Sequence, residues 1–259
     1  MVMSYNKVLN FWKNKNIRSS DELAAVLESY SVHFAYNSGN IENSEITYHD
    51  TREIFDKNGV TSYTGSTKTL FEIQNSKAAY EKILSLFDDK PHIDESMLKE
   101  FHKILTVGTY NERRFALGEC PGEYKHRDYV TGKKEAGALA EDVSEEIDEL
   151  LNELSDIDDE NALTAAAYFH AKFENIHPFS DGNGRVGRLL MNYILLIHNH
   201  PPVIFFTEDK KDYYSALEEF DEKLDLKPLI EFIKFQTEKT WKNQISRENT
   251  DCSITDFIK

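Results

Sequence analysis

The stretch from Arg185 to His198 constrains the fold of this chain more than any other. After its first turn it is almost wholly apolar. A helix that is apolar on every side must be covered on every side, so this one belongs at the centre of a bundle. The rest of the sequence supplies the cover, because apolar residues recur at helical spacing along most of it. Ser20-Asp21-Glu22 cap a run through Leu23, Val26, Leu27 and Tyr30 that reaches about Asn37. Thr47 opens a second helix, carrying Ile54 and Phe55 and closed by Asn58-Gly59. Leu70, Ile73, Ala78, Ile83 and Leu84 mark a third, and Asp94 to about Thr106 a fourth, after Pro91. Glu141 to Leu154 is amphipathic, and Asn161 to Ile176 is Ala-rich with Phe169 and Phe173 on its core face. Two more runs lie near Lys210 to Leu224 and Pro228 to Trp241. The expected class is all-α.

One segment breaks the pattern. Gly108 to Ala138 is rich in Gly, Arg, Lys and Tyr, and Glu123 to Thr131 is expected to form a short β-hairpin between Gly122 and Gly132. The acidic run from Asp156 to Glu160 reads as a solvated loop, and the polar tail after Trp241 as loosely held. No repeat or composition shift marks a second domain. A chain of 259 residues, 40 % of them hydrophobic, can bury a sizeable core. The net charge of −16 argues against nucleic acid or an anionic membrane surface as a partner. Cys120 and Cys252 stand alone, without zinc-site spacing. Residues 1–16 lack the apolar run of a signal peptide, and no stretch approaches the ~20 apolar residues of a membrane span. The expected setting is the cytoplasm.

The chemistry is concentrated in His177-Pro178-Phe179-Ser180-Asp181-Gly182-Asn183-Gly184-Arg185-Val186-Gly187-Arg188. Pro178 stops the preceding helix at His177, and Phe179 is expected to plug into the core. Gly182 and Gly184 permit unusual backbone angles; with Asn183 they can gather N–H groups into a nest that runs into the next helix N-terminus, a site for an anion. Arg185 and Arg188 are three apart, on one face, and can fork onto phosphate oxygens. Asp181 supplies a hard carboxylate of the kind that holds Mg²⁺ together with phosphates. His177 sits at the rim as a proton acceptor.

These residues match the HPFx(D/E)GNGRxxR motif of the Fic family at every position, and the chain resembles that family over about Ser38 to Lys234. The resemblance implies a Fic helical fold and transfer of AMP from ATP to a Ser, Thr or Tyr hydroxyl of a protein target, which self-modification can make the protein itself. It implies that His177 is the base, that Asp181 holds Mg²⁺, that Gly182, Asn183, Gly184 and Arg185 cradle the α- and β-phosphates, and that Arg188 grips the γ-phosphate. The hairpin falls where the family places a flap that pairs with an extended target segment, with Tyr129 and Val130 as clamp residues. Tyr213 and Tyr214 fall where relatives line the adenine pocket. Asp221 stands where relatives often carry Asn. Relatives often pair, so a homodimer is a further implication. Ser38-Gly39-Asn40-Ile41-Glu42-Asn43 matches the inhibitory pattern (S/T)xxxE(G/N), which implies a bidentate pairing of Glu42 with Arg188 that shuts out the γ-phosphate. The matching layout is an N-terminal helical region at 1–62 with the inhibitory helix, a core at 63–243 and the tail at 244–259. Two other functions fit the same residues: removal of AMP from a modified protein, with Glu42 orienting water, and a nucleotide-sensing interaction module with little turnover.

Overall fold

Short polar side chains set where many of the helices begin. The computed structural model describes residues 4–129 and 137–254, and among these the regular structure is helical with no strand. The order is α1 (Tyr5–Asn14), α2 (Ser20–Val26), α3 (Glu28–Glu42), α4 (Tyr48–Lys57), α5 (Thr67–Ser85), α6 (Glu95–Thr106), α7 (Glu112–Ala116), α8 (Val143–Glu153), α9 (Ala162–Ile176), α10 (Asn183–Ile197), α11 (Lys210–Lys223) and α12 (Lys227–Ile254). Ser19, Thr47, Ser66, Asp94 and Asn111 each accept a backbone N–H three residues on, and so cap α2, α4, α5, α6 and α7. Asn58 closes α4 in the left-handed conformation. No described helix is long and apolar enough to cross a membrane.

The central helix is α10. Its residues from Val186 to Leu196 are all buried. It packs most extensively on α9, with α6 and α3 on other sides. One continuous apolar cluster runs from Tyr5 in α1 to Ile245 in α12. A small separate cluster of Ile46, Ile54 and Ile73 joins the turn after α3 to α4 and α5.

The structure departs from the sequence expectations in four places. The single helix expected over 20–37 is two, because Leu27 leaves helical geometry (φ −98°, ψ 9°) while its side chain stays in the core; α3 then runs on to Glu42. Residues 1–16 gave no helical expectation, yet Tyr5, Val8 and Trp12 line one face of α1 and dock on α12. The rings of Trp12 and Trp241 meet edge-on at 5.1 Å, and the Trp241 indole donates to the Pro202 carbonyl at 2.8 Å. The tail expected after Trp241 instead continues α12, with Ile245 buried. Finally, the expected hairpin is not seen in residues 123–129. Their polar groups are engaged elsewhere: Lys125 N–H donates to the Pro178 carbonyl (2.9 Å) and His126 N–H to Glu119 (3.2 Å). On the far side Ala138 N–H donates to the Ile176 carbonyl at 2.9 Å. These bonds lay both approaches of the segment along the loop that carries His177. Val130 and Thr131 lie outside the described residues.

Candidate active site

The loop between α9 and α10 is held by its own short-range chemistry. His177 ends α9 at φ 51°, its N–H still bonded to the Phe173 carbonyl. Phe179 is fully buried and stacks on His102 with 3.8 Å between centroids. Asn183 closes the loop from four residues away: its side-chain oxygen accepts from Phe179 N–H (2.9 Å), and its side-chain nitrogen donates to the Phe179 carbonyl (2.8 Å). The Asn183 side chain is therefore a clip, and only its backbone can face an anion. Gly182 takes φ 85°, and a Cβ there would lie 2.8 Å from Thr106, so both conformation and space require glycine. The first-turn N–H groups of α10, which have no intrahelical acceptor, begin directly after it.

The charges around this helix start are sorted. Burial pushes His177 down to about 4, and Lys125 adds to the effect; a hydrogen bond to the Glu174 backbone and the charges of Glu42 and Asp181 oppose it. The imidazole is neutral at pH 7 and able to accept a proton. For Asp181 burial works upward, but Arg185, Arg114 and Lys68 outweigh it and hold the carboxyl below its usual range. Its oxygens lie 3.4 Å from Arg114 and 3.6 Å from Arg185, too far for good hydrogen bonds. A hydrogen bond with the Gly182 backbone lowers the carboxyl further. This is an ionised single carboxylate beside an anion site, a set that suits Mg²⁺ shared with phosphates.

Both arginines of α10 are buried. Arg185 reaches Glu72 at 3.8 Å, the Leu105 carbonyl at 3.4 Å and Asp181, and its Nε has no partner. Arg188 donates through Nε to Ser38 Oγ (3.1 Å), through Nη2 to the Ser38 carbonyl (2.9 Å) and to Glu42 Oε1 (2.8 Å), and through Nη1 to Tyr213 (3.4 Å). The expected pairing of Glu42 with Arg188 is present. It uses one carboxylate oxygen instead of two, because Ser38, one turn earlier on α3, takes the rest of that edge of the guanidinium. Burial opposes the charge on Arg188, and Glu42, Tyr213 and Glu174 more than offset it. Gly184 lies in the same contact: a Cβ there would run into Glu42 Oε1 and stand 2.8 Å from Arg188 Nη1.

Tyr213 is not an open wall of a base pocket. It is fully buried, and its hydroxyl meets His170 at 3.0 Å as well as Arg188. Tyr214 stands beside it at 4.9 Å and is part-exposed, with the Lys210 ammonium over its ring. Asp221 accepts from the Asn175 amide at 2.9 Å, so an amide donor reaches that spot from α9. The Tyr129 hydroxyl donates to Glu119 at 2.7 Å.

Three participants went unnoticed in the sequence. Arg114, in the five-residue α7, pairs with Asp181 and donates to Ser180. Glu72, in α5, faces Arg185. Glu174, one helical turn before His177, has a buried, unpartnered Oε1; burial pushes its carboxyl up to about 8, with Glu42 and Asp221 adding to the rise and Arg188 opposing it. Its spacing from His177 was the available signal, since residues three apart share a helix face.

Residues 92–195 match the Fic/DOC family. The chain is 29 % identical over 222 residues to a protein adenylyltransferase Fic of Nematostella vectensis, covering 83 % of this chain and 49 % of the relative. It is 32 % identical over 221 residues to a protein adenylyltransferase Fic of Drosophila willistoni, covering 82 % and 41 %. The chain thus spans about half the length, or less, of these curated relatives. Among solved structures, a Fic domain containing signaling protein from Bacteroides thetaiotaomicron superposes with TM-score 0.77 at 23 % identity, covering 92 % of this chain and 94 % of that one. A Fic family protein from Desulfovibrio desulfuricans gives 0.75 at 24 %, covering 94 % and 74 %.

Proposed function

Because the chain carries a Fic/DOC-family domain at residues 92–195, we propose that it transfers AMP from ATP to a Ser, Thr or Tyr hydroxyl of a protein, itself included, and that Glu42 restrains this activity. The observation that carries the reading is the contact of Glu42 with Arg188 at the start of α10, beside a neutral His177 and an ionised Asp181. The curated relatives named as protein adenylyltransferases supply the reaction class.

In this reading the triphosphate lies along the first turn of α10, its oxygens taken by backbone N–H groups and by Arg185. Arg188 receives the γ-phosphate once Glu42 leaves. Fixing the tail decides which phosphorus faces the hydroxyl. The hydroxyl oxygen bonds to the α-phosphorus, the bond to pyrophosphate breaks in line, and His177 takes the hydroxyl proton. A pKa of about 4 makes a feeble base, but bound phosphates bring negative charge beside the ring and raise it part of the way back toward the 6.5 of a free histidine. Mg²⁺ held by Asp181 would neutralise charge on the phosphates. With Glu42 on Arg188 the γ-phosphate has no guanidinium to meet, and the α-phosphorus is misplaced. Tyr214 is the ring that a base can reach; Tyr129 and Val130 belong to the target-binding side.

Intact-mass analysis after incubation with Mg·ATP tests this. The parent should gain little, Glu42→Gly one or more AMP groups, and the double variant with His177→Ala none while still binding ATP. If the double variant labels as well as Glu42→Gly alone, the base is wrongly assigned. Loss of AMP removal from a modified protein on Glu42→Gly would favour the reverse reaction instead. Stabilisation by Mg·ATP without labelling of any form would favour a sensing module.

A further inference from the structure

Glu72 is shared between different parts of the site: besides Lys68, one turn back on its own helix at 3.6 Å, it contacts both Arg185 and Asn43. Its side chain is 4 % exposed. One oxygen faces Arg185 at 3.8 Å, and the other accepts from Asn43 Nδ2 at 2.7 Å. Asn43 directly follows Glu42 and ends α3. Its amide nitrogen also reaches Thr69 Oγ1 at 3.1 Å, one turn before Glu72, and its oxygen accepts from Glu45 N–H at 3.0 Å. Thr69 in turn donates to Glu45 at 2.9 Å. The turn that follows Glu42 is therefore fastened to α5 by a closed set of polar contacts, and the carboxylate at its centre is also the anion nearest one end of Arg185.

The partnership looks different from the side of Arg185. None of its contacts is a short hydrogen bond, and its Nε has no partner although the residue is buried. A guanidinium with unspent donors is oriented by the charges around it, and Glu72 is the most buried of these. Simple neutralisation of a buried arginine would explain the Glu72–Arg185 contact. It does not explain why the same carboxylate takes the shortest hydrogen bond made by the residue next to Glu42.

We infer that Glu72 is a positioning residue with two clients: it orients Arg185 for the phosphate chain, and through Asn43 it latches the segment that carries Glu42 onto Arg188. The state of the brake and the setting of the second phosphate arginine are then mechanically joined. This rests on the nucleotide-transfer reading above for its first client only; the latch is a property of the ligand-free protein.

Asn43→Ala and Glu72→Ala, each alone and combined with Glu42→Gly, separate the two clients. Asn43→Ala removes the amide's bonds to Glu72 and Thr69 and the one it accepts from Glu45 N–H; the bond to the charged acceptor alone should free the brake about tenfold. Asn43→Ala should therefore raise self-labelling about tenfold in the parent and change nothing once Glu42 is gone. With Glu42→Gly as background, Glu72→Ala should raise the half-saturating Mg·ATP concentration several-fold, and Asn43→Ala should leave it unmoved. Amide hydrogen exchange over residues 39–46 of the ligand-free parent should speed up about tenfold in Asn43→Ala, with the core of α10 unaffected. A damaged fold cannot produce a gain of labelling that disappears with Glu42. Equal gains in both backgrounds, or unchanged exchange over 39–46, overturn the latch. An unchanged half-saturation in Glu72→Ala overturns the positioning of Arg185. Absence of labelling in every form, Glu42→Gly included, counts against nucleotide transfer, and the exchange result then decides the latch by itself.

Discussion

Glu42→Ala should make the protein less stable and more active, and the opposed signs are what make it informative. The carboxylate contributes one charge-assisted hydrogen bond, 2.8 Å long, to an arginine that is 2 % exposed. Such a bond is worth ~1.5–3 kcal/mol. The Glu42 side chain is 36 % exposed, and solvent screening moves the value to the lower end, about 1.5 kcal/mol. The larger penalty of a stranded buried charge is softened, because Ser38 and Tyr213 stay on the guanidinium as neutral partners and water can enter where the part-exposed Glu42 carboxylate stood. For a chain of this size ~1 kcal/mol moves Tm by ~2–4 °C, so the ligand-free Tm should fall by about 3–6 °C. The same energy is about a tenfold change in the brake equilibrium, so the rate of AMP incorporation should rise about tenfold. Mg·ATP should then raise Tm more in the variant than in the parent, since Arg188 is open to the γ-phosphate. Calorimetry and intact-mass kinetics on one preparation measure all three. A lower Tm without any gain in labelling or in ATP stabilisation would reduce Glu42 to a structural counter-ion and refute the brake.

Other outcomes follow from the same geometry. With its imidazole lowered to about 4, His177 is neutral above that pH, so activity of the Glu42→Ala form should fall only as pH drops well below the 6.5 of a free histidine, toward a limit that bound phosphates set; a midpoint above 6.5 would contradict the assignment. Glu174 refuses ionisation until about pH 8, whereas the unfolded chain ionises near 4.5, so it costs stability increasingly as pH rises between those values. Glu174→Gln should accordingly be more stable than the parent at pH 8 and equal to it at pH 4, measured by urea unfolding. Gly184→Ala places a methyl against Glu42 and Arg188, and it should weaken ATP binding even when Glu42 is removed, as titration calorimetry will register.

Much of the helical plan was legible because helix starts and stops are local events. Thr47 and Asp94 cap within three residues, and Asn58 closes α4 with its own left-handed turn. The failures have equally definite causes. α1 is hidden because the value of its buried residues Tyr5, Val8 and Trp12, with Phe11 beside them, depends on Trp241 far along the chain. The tail was misjudged for the same reason, since Ile245 is covered by elements remote in sequence. The hairpin expected at 123–131 rested on glycine punctuation, while the backbone of residues 125 and 126 is drawn to Pro178 and Glu119.

The sequence by itself determined the active loop. Pro178, the positive φ of Gly182 and the Asn183 clip across four residues are short-range devices that shape the turn carrying His177 and Asp181, which His102, Arg114 and Lys125 then hold from outside. Tertiary structure alone decided how each charge is partnered. Arg188 meets one oxygen of Glu42 instead of two because Ser38 shares it across 150 residues of chain. Arg185 faces Glu72, and Glu174 is left protonated at neutral pH, because of which helices happen to meet there. Helical periodicity fixes the face on which a side chain lies. It does not fix the partner that face finds, and ion pairs, burial and the ease of proton transfer all depend on the partner.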